Sequence, residues 1–114
     1  MTHPPDDAHL RTEESIIQTY LAPLAAGYPG AFGLTDDCAA FTPTPGYDLV
    51  VKTDPIASDV HFFDFDAPED IAWKALAVNV SDLAAKAAEP RAYLMALSFP
   101  AAPTREWMRR FAEG

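Results

Sequence analysis

Among the carboxylates of this chain, Asp36, Asp37, Asp54 and Asp82 stand where a solvated acid is least expected, and His61 sits among aromatic residues in Val60-His61-Phe62-Phe63. Oxygen donors of this kind suit hard cations such as Mg²⁺ rather than zinc or copper. Each residue also has a plainer reading. Asp36-Asp37 could be a solvated turn, and Asp54 could be a turn residue ahead of Pro55. Asp82 could pair with Lys86 at i+4, although its helical face is shared with Ile71, Ala75 and Val78. An acid on that face is costly unless paired or metal-bound. His61 could be an ordinary packed ring.

The commoner chemistries lack their residues. Glycines occur at positions 27, 30, 33, 46 and 114, which excludes both a GxxxxGK[ST] phosphate loop and a GxGxxG turn. One cysteine, Cys38, cannot build a thiolate zinc site, and His3, His9 and His61 have no HExxH spacing. No serine lies in a GxSxG elbow.

The elements that must position the acids follow from periodicity. Ile16, Ile17, Tyr20, Leu21 and Leu24 mark an amphipathic helix capped by Thr12 and ended near Pro23 and Gly27. A Gly/Pro-rich loop then leads to an apolar run, Cys38 to Phe41, and residues 49–54 alternate as a strand. That alternation places Val50, Lys52 and Asp54 on one face and Leu49, Val51 and Thr53 on the other. Asp66 and Glu69 have capping-box spacing before a helix that carries Asn79, Asp82 and Lys86 as a polar stripe until Pro90. Tyr93 to Phe99 reads as a further strand, and Thr104 caps a helix with Trp107, Met108 and Phe111 on one face. Residues 1–11 form a loose tail, and 12–114 make one domain. The expected class is α+β, a small mixed sheet with helices packed on one face, whose exposed edges invite a homodimer.

With 17 acidic and 8 basic residues the formal charge is −9. Such a surface repels nucleic acid and anionic membranes, so a phosphate ligand would need cations between itself and the acids. The acidic N-terminus lacks the apolar core of a signal peptide, and no apolar run reaches the length of a membrane span. One cysteine suits a cytoplasmic protein.

Taken in order, Thr35-Asp36-Asp37-Cys38-Ala39, Val50-Val51-Lys52-Thr53-Asp54, Val60-His61-Phe62-Phe63 and Asn79-Val80-Ser81-Asp82-Leu83-Ala84-Ala85 resemble the N-terminal half of the thiamine-monophosphate kinase family. That family is part of the aminoimidazole ribonucleotide synthetase-like superfamily, which also holds the selenophosphate synthetases. The resemblance covers residues 12–111 and implies that superfamily's N-terminal domain fold. It implies Mg²⁺ ligands at Asp36, Asp37, Thr53, Asp54 and Asp82, and contact between His61 and the thiamine phosphate. It further implies ATP as co-substrate, held largely by a C-terminal part beyond this chain, so that the 114 residues are an inactive fragment. Alternatives are another ATP-dependent member, of the selenophosphate or aminoimidazole ribonucleotide synthetase type, and a non-catalytic dimerisation or binding module.

The pattern departs from the family at Thr35 and Asp59, both usually glycine, at Lys52, where a small hydroxyl residue is common, and at Lys86-Ala87, usually Met-Gly. The implied reaction moves the γ-phosphoryl of ATP onto a phosphate whose second pKa lies near ~6. The acceptor is thus already anionic and needs no general base. The obstacle is repulsion between two polyanions, which bound Mg²⁺ relieves.

Overall fold

A computed structural model places residues 5–114 of the chain. The first four residues of the expected tail lie outside the described residues. Among the described residues three α-helices dominate: α1 (Glu13–Ile16), α2 (Pro68–Ala84) and α3 (Arg105–Glu113). α1 passes directly into a π-helical turn, Ile17–Leu21, and then a 3-10 turn, Ala22–Ala25; a further helical turn spans Pro29–Leu34.

Local chemistry explains the helix starts. Thr12 Oγ1 accepts from Ser15 N at 3.1 Å, and Thr104 Oγ1 accepts from Trp107 N at 3.1 Å, satisfying donors that each first turn leaves free. α2 starts differently from the capping box its sequence suggests. Its cap is Ala67, with no side-chain bond, and Pro68 occupies the first turn. Asp66 instead accepts from Phe63 N at 2.9 Å within the preceding turn. Glu69 is drawn away by Arg110, whose guanidinium grips it with two bonds, 2.9 and 2.7 Å. A charge-assisted fork of this kind outcompetes a neutral backbone donor.

α2 ends at Ala84, short of Pro90. Ala88 N donates to Leu83 O at 3.0 Å and Ala87 N to Ala84 O at 2.9 Å, the paired bonds of a Schellman end. The residue that must turn left-handed is Ala87, at φ 53°. Asp59 also lies at positive φ, 62°. Thr35 keeps an ordinary φ of −100°, and the left-handed strain falls on Phe32 and Leu34.

α2 packs against α3 around a small core of Leu10, Ile71, Ala72, Met108 and Phe111, with Met108 fully enclosed. Trp107 stacks on Phe111 at 5.1 Å and meets Phe99 edge-on at 5.6 Å. Leu10 belongs to this core although the sequence placed it in a loose tail. Leu10 N donates to Pro103 O at 2.8 Å, and His9 bridges Thr104, so residues 8–10 are pinned beside the start of α3.

The mixed sheet with helices on one face does not form. Among the described residues there are only two isolated bridges, His9 with Thr104 and Ser58 with Phe62. The runs expected as strands, 38–41, 49–54 and 93–99, have no ladder. Alternation decides which side chains would share a face, but a strand exists only when a neighbour pairs its backbone. Here none does, and Val51 and Leu94 stay 81% and 90% exposed. Of these runs only 93–99 reaches the helical core, through Met95 and Phe99, which are partly buried there with Ile56 and Phe62.

Candidate functional site

α2 is long enough to carry a site along its outer side while Ile71 and Ala72 are held in the core. The segment 52–54 lies across that side. Asn79 Nδ2 donates to the backbone oxygen of Asp54 at 3.2 Å and to Ala75 O at 2.8 Å, tying the segment to the helix. Lys52 then reaches Asp82 at 2.9 Å and Asp54 at 3.4 Å, so one ammonium stands between two carboxylates. Its hydrogen bond to Asp82, with the nearby charge of Asp54, raises the Lys52 pKa above the ordinary lysine value. An open groove of ≈ 690 Å³ runs beside this cluster, lined by Asp54, Trp73, Lys74, Ser81 and Asp82 among others.

Asp82 therefore finds its cation in Lys52, thirty positions back, and not in Lys86 one turn ahead. The expected co-facing of Lys52 and Asp54 survives without the sheet, because residues two apart in an extended segment point the same way. Thr53 lies exposed between them.

Asp36 and Asp37 sit on a different loop. Asp36 Oδ1 accepts from Cys38 N at 2.9 Å, the solvated-turn geometry its sequence also allowed. That loop is closed by Ala40 N donating to Gly30 O at 2.8 Å, and a Cβ at Gly30 would overlap the Ala40 carbonyl, so glycine is required there. The structure thus joins Asp54 to Asp82 and leaves Asp36 and Asp37 in a separate, exposed turn. Among the described residues no group of three or more His, Cys, Asp or Glu side chains is arranged to hold a metal ion.

His61 belongs to a tight turn at residues 57–62. Its Nδ1 accepts from Ala57 N at 2.9 Å, and its backbone oxygen accepts from Lys74 Nζ on the groove wall. Because Nδ1 is an acceptor, the proton of the neutral ring rests on Nε2, which is left as a donor. Lys74 was the link that the sequence did not disclose. Asn79, read from the sequence as part of the stripe with Asp82, proves to have a buried and unpaired Oδ1 one turn before that acid. Its i, i+3 spacing from Asp82 was the available signal.

The donor chemistry fits a divalent cation at one place. Asp54 and Asp82 already converge on a positive charge, and their carboxylates are hard oxygen donors of the kind Mg²⁺ accepts. Asp36 and Asp37 would have to approach from their own loop to join them.

Residues 35–114 match the family model for the N-terminal domain of AIR synthase related proteins. Curated relatives that carry the name thiamine-monophosphate kinase include those of Caulobacter vibrioides, 43% identical over 90% of this chain, and Bacillus subtilis, 41% identical over 72%. A third, from Synechococcus elongatus, is 36% identical over 82% of the chain. The chain spans 29%, 26% and 29% of these relatives, so it corresponds to under a third of each. No solved structure gives a significant match. Since the domain model takes in most of the chain, including the Asp54–Lys52–Asp82 cluster, this protein belongs to the AIR synthase related family through its N-terminal domain.

Proposed function

We propose that this chain is the N-terminal part of an enzyme that transfers the γ-phosphoryl group of ATP to thiamine monophosphate, giving thiamine diphosphate. The reading is supported by relatives named thiamine-monophosphate kinase and by one observation in particular, the convergence of Asp54 and Asp82 on a single cation beside an open groove. Asp54 and Asp82 would hold Mg²⁺, with Asp36, Asp37 and Thr53 as further oxygen donors from neighbouring segments. Bound there, Mg²⁺ supplies the neutralising charge that lets two phosphate groups approach each other.

The chain's own side chains do the remaining work. Asn79 fixes the Asp54 backbone to α2, so the acid of an irregular segment is held at a set distance from the acid of a helix. His61 keeps its proton on Nε2 and can donate it to an oxygen of the thiamine phosphate. Trp73, 67% exposed and on the groove wall, offers an aromatic face to a flat heterocycle. The nucleotide is assigned to sequence outside these 114 residues, and the reaction to the cytoplasm. Among the described residues no helix is long and apolar enough to cross a membrane.

The gene product that contains this chain should form thiamine diphosphate from ATP and thiamine monophosphate in the presence of Mg²⁺. Asp82→Asn should lower that turnover by about 10²-fold or more with an unchanged circular dichroism spectrum. Failure to convert thiamine monophosphate, with turnover of another phosphate or carboxylate substrate of the superfamily, overturns the assignment.

A further inference from the structure

The cluster at α2 contains a residue that does not belong in a simple metal site. Lys52 is positively charged, stands 2.9 Å from Asp82 and 3.4 Å from Asp54, and so fills the place that a cation bridging those two carboxylates would take. Its side chain is the most covered of the three, 27% exposed against 50% for Asp54 and 57% for Asp82. The carboxylates remain open to solvent while the ammonium is tucked between them. Two acids with one lysine keep a net negative charge, which still draws cations.

We propose that Lys52 is a tethered competitor for the divalent cation, so that metal occupies the Asp54–Asp82 pair only when the ammonium withdraws. This rests on the metal reading above, and it concerns a residue to which that reading gives no part. Three features carry it. The lysine and a bridging divalent ion need the same oxygens. The lysine stem is flexible and its ammonium is a compact point charge, so it can leave without moving the backbone. Moreover, its contact to Asp82 links positions thirty apart, so the ion pair holds residues 52–54 on α2 when no metal is present. Asn79 keeps that attachment through the Asp54 backbone once the lysine has gone.

The test is Mn²⁺ binding to the 114-residue chain, followed by the electron paramagnetic resonance signal of free Mn²⁺, with no nucleotide or substrate added. Replacing Lys52 by Met keeps the stem and removes the charge, and should tighten Mn²⁺ binding roughly fivefold, the scale set by releasing an exposed ion pair. Adding Asp82→Asn to Lys52→Met should abolish that gain. Lys52→Arg, which retains the charge, should bind no more tightly than wild type. Lys52→Ala, which removes the charge and adds no donor, provides the same comparison if Lys52→Met loses its helical circular dichroism. Equal or weaker Mn²⁺ affinity in the uncharged variants overturns the role of Lys52 while the metal reading stands. No Mn²⁺ bound by any variant overturns both.

Discussion

Arg110 and Glu69 form an ion pair between the two long helices, and its effect on stability should depend on pH. The forked hydrogen bond from Arg110 lowers the Glu69 pKa below its ordinary 4.5. A carboxyl group depressed on folding contributes its stability above the unfolded value, and that contribution disappears as pH falls through the folded value. Wild type should therefore melt higher than Glu69→Gln near pH 7, by a few degrees at most because both side chains are partly solvated. The gap should close below pH ~4.5. Thermal melts of both proteins from pH 3 to 7 check this, and a constant gap would assign the effect to something other than the ionised carboxylate.

The helix ends illustrate what single elements tolerate. α2 terminates through a left-handed residue that is not glycine, Ala87 at φ 53°. An L-residue with a Cβ is strained there by roughly 1–2 kcal/mol, part of which glycine returns through its greater freedom when unfolded. Ala87→Gly should thus stabilise the chain by about 0.5–1 kcal/mol without altering the site, because position 87 is exposed and follows the helix. Urea denaturation with an unchanged slope would confirm it, and destabilisation would show that the turn is not left-handed in solution. Thr12 and Thr104 needed no tertiary help, since a threonine ahead of an acidic first turn caps its own helix. The Asp66–Glu69 box failed because a partner from α3 claimed the glutamate.

Over the whole molecule, the helical core is small and the surface large. The chain exposes 8805 Å², whereas a compact monomer of 12.4 kDa would expose about 6,100 Å². Much of the excess is apolar, with Tyr47, Val51, Val60, Phe65 and Leu94 each more than 70% exposed. Surfaces like this are usually covered by another polypeptide. The 114-residue chain should therefore self-associate at tens of micromolar, visible as a concentration-dependent sedimentation coefficient, and should bind a dye specific for apolar surface. A monomer that ignores the dye over that range would contradict the expectation. The charge of −9 opposes association, so added salt should favour it.

How far the chain could be read without coordinates depends on the range over which each feature is determined. Threonine caps, the presence of a long helix at α2 and the apolar face of α3 follow from residues a few positions apart, and these were legible, whereas both ends of α2 were not. The co-facing of Lys52 and Asp54 was legible for the same reason. Tertiary structure alone decided that Asp82 meets Lys52 rather than Lys86, that Glu69 meets Arg110, and that Leu10 enters the core. It also decided that residues 49–54 and 93–99 form no sheet. Those outcomes depend on which distant backbone or charge the fold brings to a given place, and local periodicity holds no record of that.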